Sequence, residues 1–144
     1  MFNIEFSRSP RNEFGELAAR GRITLGDFSE EFVSPLGFWT ADDYQRQWHE
    51  AAERVLNGGA PSCFVAAMRE SPLDGVIFLW PAYKDGEAVY IQHKLLLPEI
   101  VKGSFDPSNP YAQVDERRVL SEEDEQISEW QVSIGDIARF LRAG

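Results

Sequence analysis

The chain has 144 residues, of which 43% are hydrophobic and 12% aromatic, so it is long enough to bury the core of one domain. Its 24 Asp and Glu residues outnumber its 14 Lys and Arg residues, which gives a net charge of −10 and a pI near 4.6. This balance argues against a nucleic-acid partner, whose phosphates would repel the chain, and it favours encounter with a basic protein.

The charge is unevenly distributed. The first 22 residues hold four Arg against three Glu, a balance of +1, whereas residues 23–144 carry −11. The N-terminal sequence MFNIEFSRSP does not resemble a signal peptide, and no apolar stretch is long enough to cross a bilayer. The lone Cys63 lies in an apolar run, where a buried thiol is the ordinary interpretation. We therefore expect a cytoplasmic protein without membrane contact.

The first half of the chain predicts strands followed by a helix. Residues 2–6 (FNIEF) alternate like a strand, and residues 21–35 are rich in β-branched and aromatic residues. Thr40 and Asp43 have the spacing of a capping box, and Gly58 follows the apolar pattern as a stop signal. Between them, helical spacing of apolar residues predicts a buried stripe that consists of Tyr44, Trp48, Ala51, Ala52, Val55 and Leu56.

The centre predicts a three-stranded meander made of SCFVAAMRE, GVIFLWPAYK and EAVYIQHKLLL. A two-residue turn at Asp85-Gly86 would pair Lys84 with Glu87 and continue through Tyr83 with Ala88, Ala82 with Val89, Pro81 with Tyr90 and Trp80 with Ile91. One face would then resemble a core surface, and the other, with Tyr83, Tyr90 and Gln92, could be partly open. The proline at position 81 favours an edge strand or a bulge.

The last third predicts less regular structure. Residues 98–126 are rich in Pro, Ser and charge and are expected to be mostly loop. A final strand is predicted within residues 127–133, and Ser133 with Asp136 can cap a short C-terminal helix. Together the elements predict one α+β domain over residues 1–144, an antiparallel β-sheet packed with helices.

Catalytic and cofactor motifs are not evident in the sequence. His49 and His93 have no spacing that matches a zinc site, and the pair Gly58-Gly59 follows a helix instead of opening one, so it is not a phosphate loop. Cys63 among apolar neighbours would be a poor nucleophile. We predict no catalytic site, no metal site and no cofactor.

The run SEEDEQISEW at residues 121–130 places Glu122, Glu123, Asp124 and Glu125 side by side. Such a run is either a solvated loop or a contact for something basic. We predict that these four carboxylates contact a basic partner, with Tyr83 and Tyr90 as aromatic anchors beside them. If the run is only a loop, the contact would lie on the predicted helix around the carboxylates Asp42, Asp43, Glu50 and Glu53.

Four sequence blocks, SPLGFWTADDYQRQW, LWPAY, VYIQ and ISEW, occur in an order that resembles the CdiI immunity proteins of bacterial contact-dependent growth inhibition systems. The similarity is to the group whose partner toxins look like the ribosomal-RNA-cutting domain of colicin-type nucleases. It falls within residues 29–97 and 127–141, and residues 98–126 show no clear match. The blocks are short, so their order carries most of the resemblance.

The resemblance implies a cytoplasmic inhibitor that binds a CdiA C-terminal toxin domain, a basic nuclease, and has no catalysis of its own. It also implies a sheet similar to the Whirly fold, although fold similarity does not carry function. Two alternatives stay open at this point. One is an acidic protein-interaction adaptor without a toxin partner, and the other is an enzyme of unrecognised type.

Overall fold

The structure, a computed structural model, describes residues 1–58, 60–101 and 103–143, so Gly59 of the glycine pair lies outside the described residues. Its strands and helices, in chain order, are β1 (Phe2–Phe6), β2 (Arg11–Glu13), β3 (Glu16–Leu25), β4 (Phe28–Pro35), α1 (Ala41–Asn57), β5 (Ser62–Ala67), β6 (Ile77–Asp85), β7 (Ala88–Ile91), β8 (Lys94–Leu96), β9 (Trp130–Ser133) and α2 (Ile134–Ala143). The predicted α+β class is confirmed.

The strands form two antiparallel sheets, where the sequence predicted one. In the first sheet, β3 is central, with β4 on one edge and both β1 and β2 on the other. The second sheet has the order β5-β6-β7-β9, and β8 pairs with β6. The sequence missed β2 and the first residues of β3, because residues 7–20 alternate weakly. The two sheets meet where the buried Ser34 hydroxyl donates to the Ala66 carbonyl at 2.5 Å.

The predicted register of the β6–β7 hairpin is wrong. Asp85 pairs with Ala88, so the turn consists of Gly86 and Glu87. Gly86 has a φ of +62°, which matches a type II′ turn with glycine as the first central residue. Each partner is therefore displaced by two residues from the predicted one. Since a displacement of two preserves the alternation of side chains, the predicted division between the two faces still holds.

Pro81 lies in a central strand, and the predicted edge strand or bulge is not found at this position. The Pro81 carbonyl accepts a hydrogen bond from the Gln92 amide at 2.9 Å on the side of β7 and β8. The proline nitrogen faces the same side. On that side the predicted strand EAVYIQHKLLL is broken at Gln92 and His93 into β7 and β8. Because neither strand pairs with Pro81, its missing N–H removes no hydrogen bond between paired strands.

Helix α1 begins and ends as the sequence predicts. The Thr40 amide donates to the Asp43 carboxylate at 2.9 Å and the Asp43 amide donates to the Thr40 hydroxyl at 3.2 Å, which completes the capping box. Its buried face includes Tyr44, Trp48 and Val55. Trp48 contacts the first sheet, with its ring centroid 4.9 Å from that of Phe6. The aromatic stripe is core packing.

The same helix completes the hydrogen bonding of β5, which is the first strand of the second sheet. The Gln47 side chain accepts from the Val65 amide and donates to the Cys63 carbonyl, both at 2.8 Å. The Trp48 indole N–H donates to the Val65 carbonyl at 2.7 Å. Helix side chains thus act as the partner that a further strand would provide, and the edge of β5 is protected.

The described residues of the segment 98–126, all but residue 102, are mostly loop, as predicted, with short 3-10 turns at Pro98–Ile100 and Pro110–Gln113. Part of the loop covers the second sheet, because Tyr111 and Gln113 are buried. The Lys94 ammonium donates to the Gln113 carbonyl at 2.6 Å. The final strand and the Ser133–Asp136 cap of α2 are also confirmed, with two capping hydrogen bonds of 3.0 Å.

We predict that Gln47→Met lowers the free energy of unfolding by about 2 to 6 kcal/mol, because the Val65 amide and the Cys63 carbonyl each lose a partner in the core and each such loss costs about 1 to 3 kcal/mol. The measurement is urea unfolding of the variant and of Gln45→Met, an exposed control on the same helix. Equal stability of the two variants would show that Gln47 is not needed to pair β5.

Candidate functional site

The predicted acidic run forms the end of a short hairpin, which we call the acidic hairpin (residues 119–127). The Ile127 amide donates to the Val119 carbonyl at 2.9 Å, and the Ser121 amide donates to the Glu125 carbonyl at 2.8 Å. The Ser121 hydroxyl accepts from the amides of Glu123 and Glu125 at 3.3 and 3.2 Å. Because the backbone amides are bonded inside the turn, the carboxylates are left on its outer side.

The four carboxylates Glu122, Glu123, Asp124 and Glu125 are all exposed, and within the described residues none of them takes part in an ion pair. Residues 115–129 contain seven carboxylates and two arginines, a balance of −5, which is half the net charge of the chain. The largest local concentration of charge on the chain therefore coincides with an exposed turn whose carboxylates have no counterion among residues 1–58, 60–101 and 103–143.

Tyr83 and Tyr90 are brought together, since the corrected register places them directly opposite each other in place of the predicted pairs of Tyr83 with Ala88 and Pro81 with Tyr90. Tyr83 is buried, with 8% of its surface exposed, and burial raises the pKa of its hydroxyl to about 12. The face is thus less open at Tyr83 than the sequence predicted. Tyr90 is half-buried, and the Arg117 guanidinium lies 3.7 Å from the centre of its ring.

A hydrogen-bonded network joins Arg117, whose guanidinium lies over the Tyr90 ring, to the base of the acidic hairpin. Arg117 donates to both carboxylate oxygens of Glu129, from Nε at 2.9 Å and from Nη2 at 2.6 Å. The Gln92 side-chain amide donates to the same carboxylate at 2.7 Å and to the Arg118 carbonyl at 2.8 Å. The bonds from Arg117 hold the pKa of Glu129 below its ordinary value. Glu129 therefore fixes the segment before the hairpin to the segment after it.

Apolar residues that the sequence analysis did not select lie at the start of the hairpin. Val119 and Leu120 are about half exposed, at 52% and 48%. An open groove of about 420 Å³ runs between the hairpin and the start of β9, and its lining includes Val119, Ile127 and Trp130. The sequence could have indicated this apolar surface, because Val119 and Leu120 directly precede the acidic run in RRVLSEEDEQ. A surface that mixes exposed apolar groups with carboxylates suits a protein partner.

The alternative acidic surface on α1 offers fewer free carboxylates. Asp43 is engaged in the capping box, and Glu50 accepts a hydrogen bond from the Tyr111 hydroxyl at 2.9 Å. Asp42 and Glu53 are exposed and have no such partner among the described residues. The acidic hairpin is therefore the stronger candidate for contact with a basic protein.

The described residues include no group of three or more His, Cys, Asp and Glu side chains arranged to hold a metal ion. Cys63 is fully buried, and desolvation raises the pKa of its thiol, so the thiolate that would act as a nucleophile is disfavoured. His93 is exposed and packs against Phe78, with ring centroids 4.3 Å apart. Within the described part of the chain, no helix combines the length and the apolar character of a membrane span.

Comparisons with known proteins agree on one family. Residues 34–140 match the family described as the CdiI N-terminal domain. The chain is 29% identical over 143 residues to the immunity protein CdiI of Enterobacter cloacae subsp. cloacae, a match that covers 99% of this chain and 98% of that protein. The matched range includes residues 98–126, where the sequence blocks alone gave no resemblance.

The fold is similar to a chain of the solved CdiA-CT/CdiI toxin and immunity complex from Enterobacter cloacae. The TM-score is 0.88 at 28% sequence identity, and the match covers 99% of this chain and 97% of that chain. The similarity therefore extends over both sheets, both helices and the acidic hairpin.

We predict that Glu129→Gln lowers the free energy of unfolding by about 1 to 2 kcal/mol at neutral pH, because Arg117 loses its ionic partner. The folded-state pKa of Glu129 is depressed, so its contribution is complete above the ordinary pKa of 4.5 and is lost as the pH falls through the lower folded-state value. The stability difference between the wild type and the variant should therefore disappear in acid.

The measurement is urea unfolding of both proteins from neutral pH down to strongly acidic pH. Glu116→Gln, which changes an exposed carboxylate in the same segment, is the control and should show little effect at any pH. A stability difference for Glu129→Gln that is the same at neutral and acidic pH would contradict the assigned role of the carboxylate.

Proposed function

The chain belongs to the family of the CdiI N-terminal domain, and on this premise we propose that it is an immunity protein that binds and neutralises a CdiA C-terminal toxin domain. The observation that carries the proposal is the agreement of sequence and fold over 99% of the chain with a CdiI protein and with a chain of a CdiA-CT/CdiI complex. In this role it protects the cell that makes it from contact-dependent growth inhibition, and residues 1–144 act as one immunity domain.

We further propose that the toxin is a basic nuclease of the ribosomal RNase type. A ribosomal RNase needs a basic surface to approach RNA, and the present chain carries −10 overall and −5 within residues 115–129. Opposite potentials accelerate the encounter of two proteins and fix their relative orientation. This charge supports an inhibitor that covers part of the toxin's basic surface, and it speaks against a nucleic-acid partner for the chain itself.

The proposed contact is the acidic hairpin, with Glu122, Glu123, Asp124 and Glu125 facing Lys or Arg of the toxin. Val119 and Leu120 would supply the apolar part of the interface, because both are already exposed. Tyr90 is half-buried under the Arg117 guanidinium, and Tyr83 lies directly opposite it on the neighbouring strand. The two tyrosines therefore serve as an anchor that the toxin can engage by displacing one arginine.

The protein acts in this proposal by binding alone, without catalysis, cofactor or metal, in the cytoplasm. A buried thiol and fully bonded carboxylates such as Glu129 are consistent with a structural and not a chemical role. The toxin is inhibited because its surface is occupied, so a stable complex is the only activity that the immunity protein requires.

The test of this function is co-expression with the C-terminal domain of the CdiA protein encoded immediately upstream. We expect the two proteins to co-purify, and we expect cells that make the toxin to survive only when this chain is present. Ribosomal RNA from unprotected cells should be cut if the toxin is a ribosomal RNase. Failure to bind that domain would reject the proposal and favour an acidic adaptor with another partner.

We predict that replacing Glu122, Glu123, Asp124 and Glu125 by the corresponding amides slows toxin association about tenfold at low salt, because electrostatic steering is lost. Exposed pairs contribute about 0.2 to 1 kcal/mol each, so the binding free energy should weaken by roughly 1 to 4 kcal/mol. Folding should be unaffected, since all four side chains are exposed. Association and dissociation rates are measured at low and high salt.

The matched control replaces four exposed carboxylates elsewhere on the chain, Asp42, Glu53, Glu87 and Glu99, by the corresponding amides. It therefore reduces the net negative charge by the same amount as the hairpin variant. The wild-type and control rates should fall with added salt, whereas the hairpin variant should depend less on salt. Wild-type affinity in the hairpin variant together with a loss in the control would move the contact away from residues 119–127.

A further inference from the structure

The turn between β2 and β3 is built from an unfavourable residue. Glu13 pairs with Glu16, so the two turn residues are Phe14 and Gly15. Their φ angles are +53° and +84°, the pattern of a type I′ hairpin turn, which normally takes Asn, Asp or Gly at its first central position. Gly15 adopts this conformation without strain, but a bulky aromatic residue at Phe14 does so only rarely.

Burial does not compensate for this conformation. Phe14 is 89% exposed, the highest value among the exposed large hydrophobic side chains. Asn at this position would relieve the backbone and remove the exposed ring at the same time. The presence of Phe14 is therefore not explained by the folding of one chain, and strained, exposed residues of this kind are found at contact sites.

Phe14 lies at one end of the molecule with several other exposed apolar residues. We call this set the apolar pole, and it consists of Phe14, Leu17, Phe38, Leu73 and Val76, of which Leu73 is 81% exposed. The pole is held together by Arg69, which forms hydrogen bonds of 3.0 and 3.2 Å to Glu16 and donates to the Val76 carbonyl at 3.3 Å. The Leu36 amide donates to the Leu17 carbonyl at 2.9 Å.

The pole carries charges of both signs on separate parts. Arg8 and Arg11 are exposed in the segment that precedes the Phe14 turn, and neither has an ion-pair partner among the described residues. An open groove of about 190 Å³ lies next to the turn, and Phe38, Glu70 and Asp74 line it. Glu13 and Glu16, which flank the turn, are paired with Arg20 and Arg69. Within the described part of the chain, the unpaired charges are therefore Arg8 and Arg11 before the turn and Glu70 and Asp74 at the groove, on one surface.

The pole is distinct from the acidic hairpin. Strand β3 runs for ten residues from Glu16, beside the pole, to Leu25, a length of about 33 Å. Near the far end Phe28 stacks on Trp130, with ring centroids 4.5 Å apart, and Trp130 lines the groove of the acidic hairpin. A toxin bound at the hairpin leaves the pole uncovered, and a basic toxin does not complement the two free arginines.

We infer that the apolar pole joins two copies of this chain in a symmetric dimer, in which Phe14 of each copy enters the groove of the other and Arg11 faces Asp74 across the contact. A two-fold contact needs a self-complementary surface, and the pole supplies both halves, the arginines before the turn and the acidic groove. The complementarity is local, because Arg11 and Asp74 are exposed and opposite in charge, and it acts against the repulsion between two copies that each carry −10. The dimer goes beyond the proposed inhibition of a toxin.

The first test is sedimentation of the full chain over a range of concentrations, with Phe14→Asn as the diagnostic variant. Asn-Gly suits the type I′ turn, so this variant should fold with an equal or higher melting temperature. We expect the wild type to form dimers and Phe14→Asn to sediment as a monomer. The control Ile100→Asn changes a half-exposed apolar residue outside the pole and should keep the dimer.

The second test exchanges the charges. Arg11→Glu and Asp74→Arg should each be monomeric, because each homodimer would contain two like-charge contacts. A mixture of the two variants should form a heterodimer, because both contacts then join opposite charges. A wild type that remains monomeric at all concentrations, a dimer that persists in Phe14→Asn, or a mixture that stays monomeric would overturn the inference. Toxin binding by Phe14→Asn should be unchanged, which separates this test from that of the proposed function.

Discussion

The structure depends on the contact between helix α1 and the free edge of β5. Gln47 satisfies the backbone of Cys63 and Val65, and Trp48 donates to the carbonyl of Val65. One turn earlier, the Tyr44 hydroxyl donates to the Pro35 carbonyl at 2.7 Å and accepts from the Met68 amide at 3.0 Å. Because Pro35 ends the first sheet and Met68 follows β5 of the second, one helix ties both sheets together. Without these side chains, buried backbone groups of β5 would be unpaired.

The described residues of the long segment between β8 and β9 contribute no strand to either sheet. Part of it covers the second sheet through Tyr111 and Gln113, and the rest forms the acidic hairpin. The hairpin is fixed at its base by Arg117 and Glu129, while its carboxylates contribute no internal ion pair among the described residues. The charge that a toxin would meet can therefore change without loss of the fold, as expected for a recognition surface carried on a loop.

Local signals in the sequence predicted the elements that local interactions determine. The helix was found from Thr40, Asp43 and Gly58, and these residues act as caps in the structure. The register of β6 and β7 was not found, because both Asp85-Gly86 and Gly86-Glu87 are acceptable turns with a positive φ at Gly86. They differ at Asp85, which would also need a positive φ in the first turn and does not have one. The residues of the meander alternate correctly in either case.

Features that depend on distant contacts were beyond the sequence. The burial of Tyr83 and the stacking of Arg117 on Tyr90 require the loop to return over the sheet, which no periodicity indicates. The separation into two sheets depends on which edges α1 covers. Phe14 was overlooked because Phe-Gly is not a usual hairpin signal. The acidic run itself was visible in the sequence, but its surroundings were not. The roles of residues 122–125, Tyr83 and Tyr90 as partner contacts remain predictions, as does the Whirly-like sheet.

The most direct measurement is hydrogen exchange of this chain, free and bound to the CdiA C-terminal domain encoded upstream. The backbone amides of residues 119–131 should be protected on binding, because the acidic hairpin and the start of β9 would be covered. Residues 11–17 at the apolar pole should exchange at the same rate in both states when they are compared at one oligomeric state. Strong protection elsewhere on the chain, with exchange in residues 119–131 unchanged, would contradict the assignment of the acidic hairpin as the toxin-binding surface.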